Sequence, residues 1–168
     1  FFNITRIYLL YTFILDVSFI YMAADSTNLI IVESPSKART LKRYLGDNYQ
    51  IEASVGHIRD LPKSDLGVDL ENNFKPTYVA SEDKSKVISQ LKKLMKNATT
   101  LYLATDPDRE GEAIAWHLTE ILNPSIPVKR LVFHEITQKA IKESFDHTRD
   151  IDKSLVGAQE ARRILDRL

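Results

Sequence analysis

The stretch that decides the fold is LYLATDPDREGEAIAWHL, residues 101–118. Its first four residues are apolar and indicate a buried strand, while its last six have the apolar character of a helix. Between them lie four carboxylates at alternate positions of residues 106–112, which we call the acidic segment. This order of strand, acids and helix places the carboxylates at the carboxyl edge of a sheet, where open α/β folds bind ligands.

The acidic segment is predicted to bind a hard divalent cation. Closely spaced carboxylates repel one another, so a site that keeps several of them ionised needs nearby positive charge. An EF-hand calcium loop is excluded, because its final position requires a glutamate where this chain has His117, and because such a loop follows a helix. The simpler alternative is a solvated acidic turn beside the positive end of a helix dipole. Within the segment, Gly111 would allow close backbone approach.

Apolar strands and amphipathic helices alternate on both sides of the acidic segment. Strands are predicted at 29–32, 49–55, 100–104 and 128–133. Helices are predicted at 37–45, 84–96, from the acidic segment to 122, at 138–145 and from about 153. Residues 56–76 are rich in chain-breaking residues and are predicted to be mostly irregular. Near-continuous apolar strands that alternate with helices predict an α/β fold, a parallel sheet with helices on both faces.

The composition is that of a globular chain without net charge. The 168 residues are 43% hydrophobic, enough for one α/β domain with its own core. Because 23 basic and 23 acidic residues balance, nucleic-acid binding would have to come from local basic segments rather than from overall charge. The absence of cysteine excludes a disulfide framework and a thiolate zinc site.

Residues 1–24 are predicted to be an extension that precedes the domain. They are largely apolar and aromatic, but Asp16 interrupts the apolar run, which is shorter than the roughly 20 residues that span a bilayer. The segment is therefore a poor match to a signal peptide or a membrane anchor. Met22 is a natural start site, so we interpret the preceding residues as translated upstream sequence and expect no association with a membrane.

Five segments resemble one family of DNA enzymes, in the family's order. They are IVESPSKA (31–38), SVGHIRDLP (54–62), DPDREGEAIAW (106–116), FHEIT (133–137) and QEARRILDR (159–167). Together they resemble the N-terminal Toprim domain of bacterial type IA DNA topoisomerases, of the topoisomerase I kind. The resemblance implies a Rossmann-like Toprim fold over residues 25–150. Residues 151–168 would be the truncated start of a following helical DNA-binding domain.

The resemblance also implies a reaction and a set of site residues. The family relaxes negatively supercoiled DNA without ATP, by Mg²⁺-dependent cleavage of one strand, strand passage and religation. Glu33 matches the catalytic acid beside the scissile phosphate, and a carboxyl among other carboxylates is suited to carry a proton near neutral pH. With Glu33, the predicted Mg²⁺ ligands are Asp106, Asp108 and Glu110. The simpler alternative for Glu33 is a helix-capping residue.

DNA, chiefly single-stranded or negatively supercoiled, is the predicted partner. The residues predicted to bind it are Lys37, Arg39, His57, Arg59, Arg162, Arg163 and Asp166. Those of the first helix and the following loop would form a clamp on the DNA backbone. For Arg162, a solvated basic helix face remains an alternative. For Glu112 the sequence leaves two roles open: it could support the metal site, or it could interact with the dipole of the helix it begins.

The family's tyrosine nucleophile belongs to a later domain, and none of the seven tyrosines here lies in a segment that resembles it. We therefore expect the chain alone, a cytoplasmic monomer, to bind Mg²⁺ and DNA without relaxing DNA. Two alternatives stay open. The first is a free-standing Toprim nuclease or primase, which the strings VESPSKA and GHIRDLP argue against. The second is a metal-dependent DNA-binding module without catalysis.

Overall fold

The computed structural model describes residues 27–168, and the predicted extension at 1–24 lies outside this range. The strands are Thr27–Val32 (β1), Tyr49–Ala53 (β2), Arg59–Asp60 (β3), Val68–Asp69 (β4), Lys75–Pro76 (β5), Val79–Ala80 (β6), Ala98–Leu103 (β7) and Val128–Arg130 (β8). The helices are Pro35–Leu45 (α1), Ser85–Met95 (α2), Arg109–Leu122 (α3), Gln138–Asp146 (α4) and Lys153–Leu165 (α5), with 3-10 turns at Gly46–Asn48 and Glu82–Lys84. Among these helices, none is long and apolar enough to cross a membrane.

A four-stranded parallel sheet in the order β2-β1-β7-β8 forms the centre of the fold. Successive residues of β1 point to opposite faces. Leu29 and Ile31 pack under α2 and α3, whereas Ile30 and Val32 pack under α1 and α4. Both faces of the sheet are therefore covered, which explains the unbroken apolar sequence of β1 and confirms the predicted α/β fold with helices on both faces.

Each helix beside the carboxyl edge begins at a side chain that accepts a hydrogen bond from a backbone N–H of its first turn. These N-cap residues are Ser34 for α1, Asp108 for α3, Thr137 for α4 and Asp152 for α5. Helix α1 also has Pro35 at its first position, where a missing N–H costs nothing. The caps of α1 and α3 fix where the chain turns from β1 and β7 into a helix, and so they fix the geometry of the edge.

The predicted irregular region at 56–76 contributes strands to two short antiparallel ribbons. Strand β3 pairs with β6, and β4 pairs with β5. Ile58, fully buried, anchors this region to the α2 and α3 side of the core. The strand predicted at 128–133 ends at Arg130, whose backbone pairs with Leu103 of β7 and also with Arg149 in an isolated antiparallel bridge. Helix α5 packs against α3, and a domain boundary at residue 150 stays a prediction.

Candidate metal and DNA-binding site

Glu33 and Asp106 come together at the carboxyl edge of the sheet. They follow β1 and β7, which are neighbouring parallel strands. Lys37, from the first turn of α1, lies between them, with its Nζ 3.1 Å from a Glu33 oxygen and 3.0 Å from an Asp106 oxygen. The lysine side chain is only 5% exposed, so its charge is held in place. The two carboxylates therefore share one cation, which offsets only part of their negative charge.

Asp108 and Glu110 contact other groups instead of Lys37. Asp108 accepts a hydrogen bond from the Gly111 N–H at 2.8 Å and so caps helix α3. The Glu110 carboxylate contacts the His57 ring and lies 3.4 Å from the Gln159 side-chain nitrogen. Across residues 27–168, no three His, Cys, Asp or Glu side chains are arranged to hold a metal ion. The structure thus joins two of the four predicted metal ligands, and the complete set stays a prediction.

The residues at the edge fit Mg²⁺ in the chemistry of their donors. Mg²⁺ takes oxygen ligands and keeps several waters, so one or two protein carboxylates are enough to hold it. Glu33 and Asp106 offer such oxygens and already share a cationic group, the Lys37 ammonium. The Asp106 side chain is 59% exposed, so this carboxylate is open to an ion from solution.

The acidic segment folds tightly onto the start of α3. A Cβ built on Gly111 would lie 2.0 Å from the Asp106 carbonyl oxygen and 2.7 Å from the Asp106 nitrogen. The Thr105 hydroxyl donates to the Gly111 carbonyl at 2.6 Å, which closes the turn from the other side. Only glycine leaves room for this approach. The close backbone approach predicted from the sequence is therefore present, and it sets the position of Asp106.

A cleft of about 330 Å³ lies beside the acidic segment. Its lining residues are His57, Arg59, Asp60, Tyr78, Glu110, His117, Gln159, Arg162, Arg163 and Asp166. Five of the seven predicted DNA-binding residues are in this set. Of the other two, Lys37 is buried between the carboxylates, and Arg39 is exposed on α1. Glu110 belongs to both the acidic segment and the cleft, so the two predicted sites are continuous.

The basic groups of the cleft differ in how firmly they are held. Arg163 makes two hydrogen bonds to Asp60, at 2.8 and 2.6 Å, which tie α5 to β3. Burial raises the pKa of Asp60, but the bonds from Arg163 and the Leu61 N–H outweigh it, and the pKa is lowered. The Arg162 side chain is 64% exposed, and its contact with Asp166 is long, at 4.0 Å. Arg162 is thus the cleft arginine most available to a phosphate.

His117, which the sequence did not single out as a site residue, forms the floor of the cleft. Its ring is 1% exposed and packs against Tyr78 and Trp116 at 4.6 and 4.8 Å between centroids. Burial, followed by the electrostatic effect of the Arg59 guanidinium, lowers the pKa of His117 to about 3. The ring is therefore neutral at pH 7, and its Nδ1 has no hydrogen-bond partner among residues 27–168.

We expect acid to destabilise the protein through His117. The unfolded chain binds a proton near the usual pKa of 6.5, whereas the folded chain does so only near 3. Each pH unit of acidification between these values should therefore cost about 1.4 kcal/mol of unfolding free energy. His117→Phe should remove this slope, as measured by denaturant unfolding between pH 7 and pH 4.5. His147→Phe, at an exposed position, should keep it, and equal slopes in both variants would contradict the assignment.

Residues 28–136 match the Toprim domain family model, so the chain belongs to the Toprim domain family. Within it, the chain is 54% identical over 154 residues to DNA topoisomerase 1 of Synechococcus elongatus and 54% identical over 159 residues to that of Streptomyces coelicolor. These alignments cover 83% and 87% of this chain but only 17% of each relative's length. The resemblance to the Toprim part of bacterial topoisomerase I is thereby confirmed.

A solved structure gives the same result. Full-length topoisomerase I from Thermotoga maritima superimposes with a TM-score of 0.78 at 51% sequence identity. The match covers 83% of this chain and 24% of that chain. Toprim domains generally bind Mg²⁺, which agrees with the oxygen donors at the carboxyl edge.

Proposed function

We propose that this chain is the Toprim part of a type IA DNA topoisomerase. The enzyme would relax negatively supercoiled DNA without ATP, by Mg²⁺-dependent cleavage of one strand, strand passage and religation. The observation that carries the proposal is the continuity of two sites. Asp106, which Lys37 joins to Glu33, and Glu110, which lines the arginine-rich cleft, belong to the same acidic segment. A cytoplasmic monomer is part of the same proposal.

Glu33 is proposed as the catalytic acid. Its carboxylate is 18% exposed and hydrogen-bonds to Lys37, whose Nζ lies 3.3 Å from the second Glu33 oxygen. In this proposal, Lys37 fixes the position of the carboxyl group, and Glu33 would give a proton to the sugar oxygen as it leaves and take it back on religation. Mg²⁺, held by Asp106, Asp108, Glu110 and Glu33, would offset the charge of the phosphate.

Single-stranded DNA is proposed to lie along the cleft. Exposed Arg162 would contact the backbone first, while Arg59 and Arg163 are already paired with acidic groups and would shape the walls. Such contacts with phosphates predict binding that weakens steeply with salt. Lys37 and Arg39, at the start of α1, would extend the contact toward the scissile phosphate.

The nucleophilic tyrosine would come from another part of the whole enzyme. Tyr78 is the tyrosine that lines the cleft. Burial, and secondarily the carboxylate of Glu160, raise its pKa. An activated nucleophile requires the opposite, a lowered pKa or an adjacent base. Tyr78 is therefore a wall residue in this proposal.

A graft tests the proposal. Residues 28–168 would replace the matching segment of the Synechococcus elongatus DNA topoisomerase 1, to which the chain is 54% identical. We expect the chimera to relax negatively supercoiled plasmid when Mg²⁺ is supplied and ATP is absent. The chain alone should bind single-stranded DNA in a salt-dependent manner and relax nothing.

Two outcomes would contradict the proposal. Relaxation by the chain alone would show that no external tyrosine is needed. A chimera that folds, as judged by circular dichroism, and binds DNA but does not relax it would favour the metal-dependent DNA-binding module.

A further inference from the structure

Glu112 is a completely buried carboxylate with four hydrogen bonds. One oxygen accepts from Arg130 at 3.0 and 2.6 Å and from Arg149 at 2.6 Å. The other accepts from the backbone N–H of Asp152 at 2.9 Å. Burial raises the pKa of Glu112, but the bonds from Arg130 and Asp152 outweigh it, and the pKa is lowered. Glu112 is therefore an ionised group inside the protein, not a solvated partner of the helix dipole.

Arg130 holds the backbone that leads into the acidic segment. Its guanidinium is fully buried and donates to the carbonyl oxygens of Leu103 at 2.6 Å, Thr105 at 3.3 Å and Asp106 at 3.2 Å. These carbonyls lie at the end of β7 and just beyond it. A planar group with five donors is suited to bind several acceptors in a fixed geometry. Arg130 thus determines the path of the chain that presents the Asp106 side chain.

The same carboxylate connects the edge to helix α5. The backbones of Arg130 and Arg149 pair at 2.9 and 3.3 Å, which brings both side chains to Glu112. Asp152, bonded to the second Glu112 oxygen, caps α5 by accepting from the N–H groups of Ser154 and Leu155. One buried group therefore joins the acidic segment, β8 and the helix that carries Arg162.

We propose that Glu112 and Arg130 are positioning residues, which fix Asp106 beside Glu33 and orient α5 relative to that edge. The inference rests on the proposed metal and DNA functions. A buried ion pair is weak evidence for stability, because apolar residues of similar volume often stabilise as well. Apolar residues could not donate hydrogen bonds to the backbone carbonyls around Asp106, as Arg130 does.

Two variants separate the parts of this network. Arg130→Lys keeps the charge but lacks the planar fork, so it should release the carbonyls of the acidic segment. Glu112→Gln has the same shape, but it presents an amide nitrogen to the Asp152 N–H and should release α5. The control is Leu91→Ala, which would leave a cavity in the hydrophobic core under α2. It should destabilise the fold without removing any hydrogen bond of the network.

The readouts are amide hydrogen exchange of the metal-free protein and Mn²⁺ affinity by electron paramagnetic resonance. We expect Arg130→Lys to speed exchange at residues 104–108 and to weaken Mn²⁺ binding roughly 10-fold or more, as changes behind metal ligands do. Glu112→Gln should also speed exchange at residues 152–156. Leu91→Ala should lower the melting temperature and leave Mn²⁺ affinity near that of the wild type.

The outcomes are distinguishable. The positioning role would be overturned if Arg130→Lys and Glu112→Gln lose no more Mn²⁺ affinity, and no more protection from amide exchange, than Leu91→Ala does. If Arg130→Lys does not fold, Glu112→Gln decides by the same comparison. A wild-type protein that binds no Mn²⁺ would overturn the proposed metal site, while exchange at residues 104–108 would still test whether the network fixes the segment.

Discussion

Glu33→Gln is expected to reduce plasmid relaxation by the chimera about 10²- to 10⁴-fold, the usual contribution of proton transfer by a positioned side chain. The variant keeps the shape of Glu33 and an oxygen that accepts from Lys37, but it has no proton to exchange. Single-stranded DNA binding should stay close to that of the unchanged chimera, because the cleft is not altered. The measurement is the rate of relaxation at saturating Mg²⁺, with DNA binding measured in parallel.

Glu52→Gln is the matched control for this substitution. Glu52 lies on the adjacent strand β2 and bonds to the side chains of Gln50 and Gln90, away from the cleft. Its removal should leave relaxation near the unchanged rate. If Glu33→Gln relaxes DNA as fast as Glu52→Gln, Glu33 carries no proton in the reaction and the capping role remains.

Gly111→Ala is expected to lower both the unfolding free energy of the protein and its affinity for Mn²⁺. The added carbon would lie 2.0 Å from the Asp106 carbonyl oxygen, and that atom is backbone, so the acidic segment must move. Forced overpacking costs typically 1–3 kcal/mol of unfolding free energy. Because the shift falls on Asp106 itself, Mn²⁺ affinity should fall by roughly 10-fold or more, in line with displaced metal ligands. Denaturant unfolding and Mn²⁺ titration measure the two effects.

Gly157→Ala provides the control, since nothing lies within 4 Å of a Cβ at that position of α5. Alanine in a helix interior is favoured over glycine, so this variant should gain about 0.5–1 kcal/mol and keep its Mn²⁺ affinity. A Gly111→Ala protein that binds Mn²⁺ as tightly as Gly157→Ala would show that the acidic segment tolerates the shift.

The order of helices and strands was readable from local patterns. The predicted helices at 37–45, 84–96 and 138–145 lie within two residues of the observed bounds, because caps and apolar spacing act over a few neighbours. The two short ribbons that involve residues 59–80 were not predicted, since two-residue strands form only when the fold brings a second segment alongside to supply the hydrogen bonds. The strand predicted at 128–133 is also shorter than expected, because it ends at Arg130.

The sequence by itself determined the fold class and the edge that carries the acids. Those features follow from periodicity, caps and the rule that parallel strands end at one edge. Only the tertiary structure decided how each acid is used: Lys37 bridges Glu33 and Asp106, Asp108 caps a helix, and Glu110 turns to His57. The tertiary structure also showed which groups Glu112 contacts, because its partners lie 18 and 40 residues away in the sequence. The energy of a buried charge depends on the groups that surround it in space.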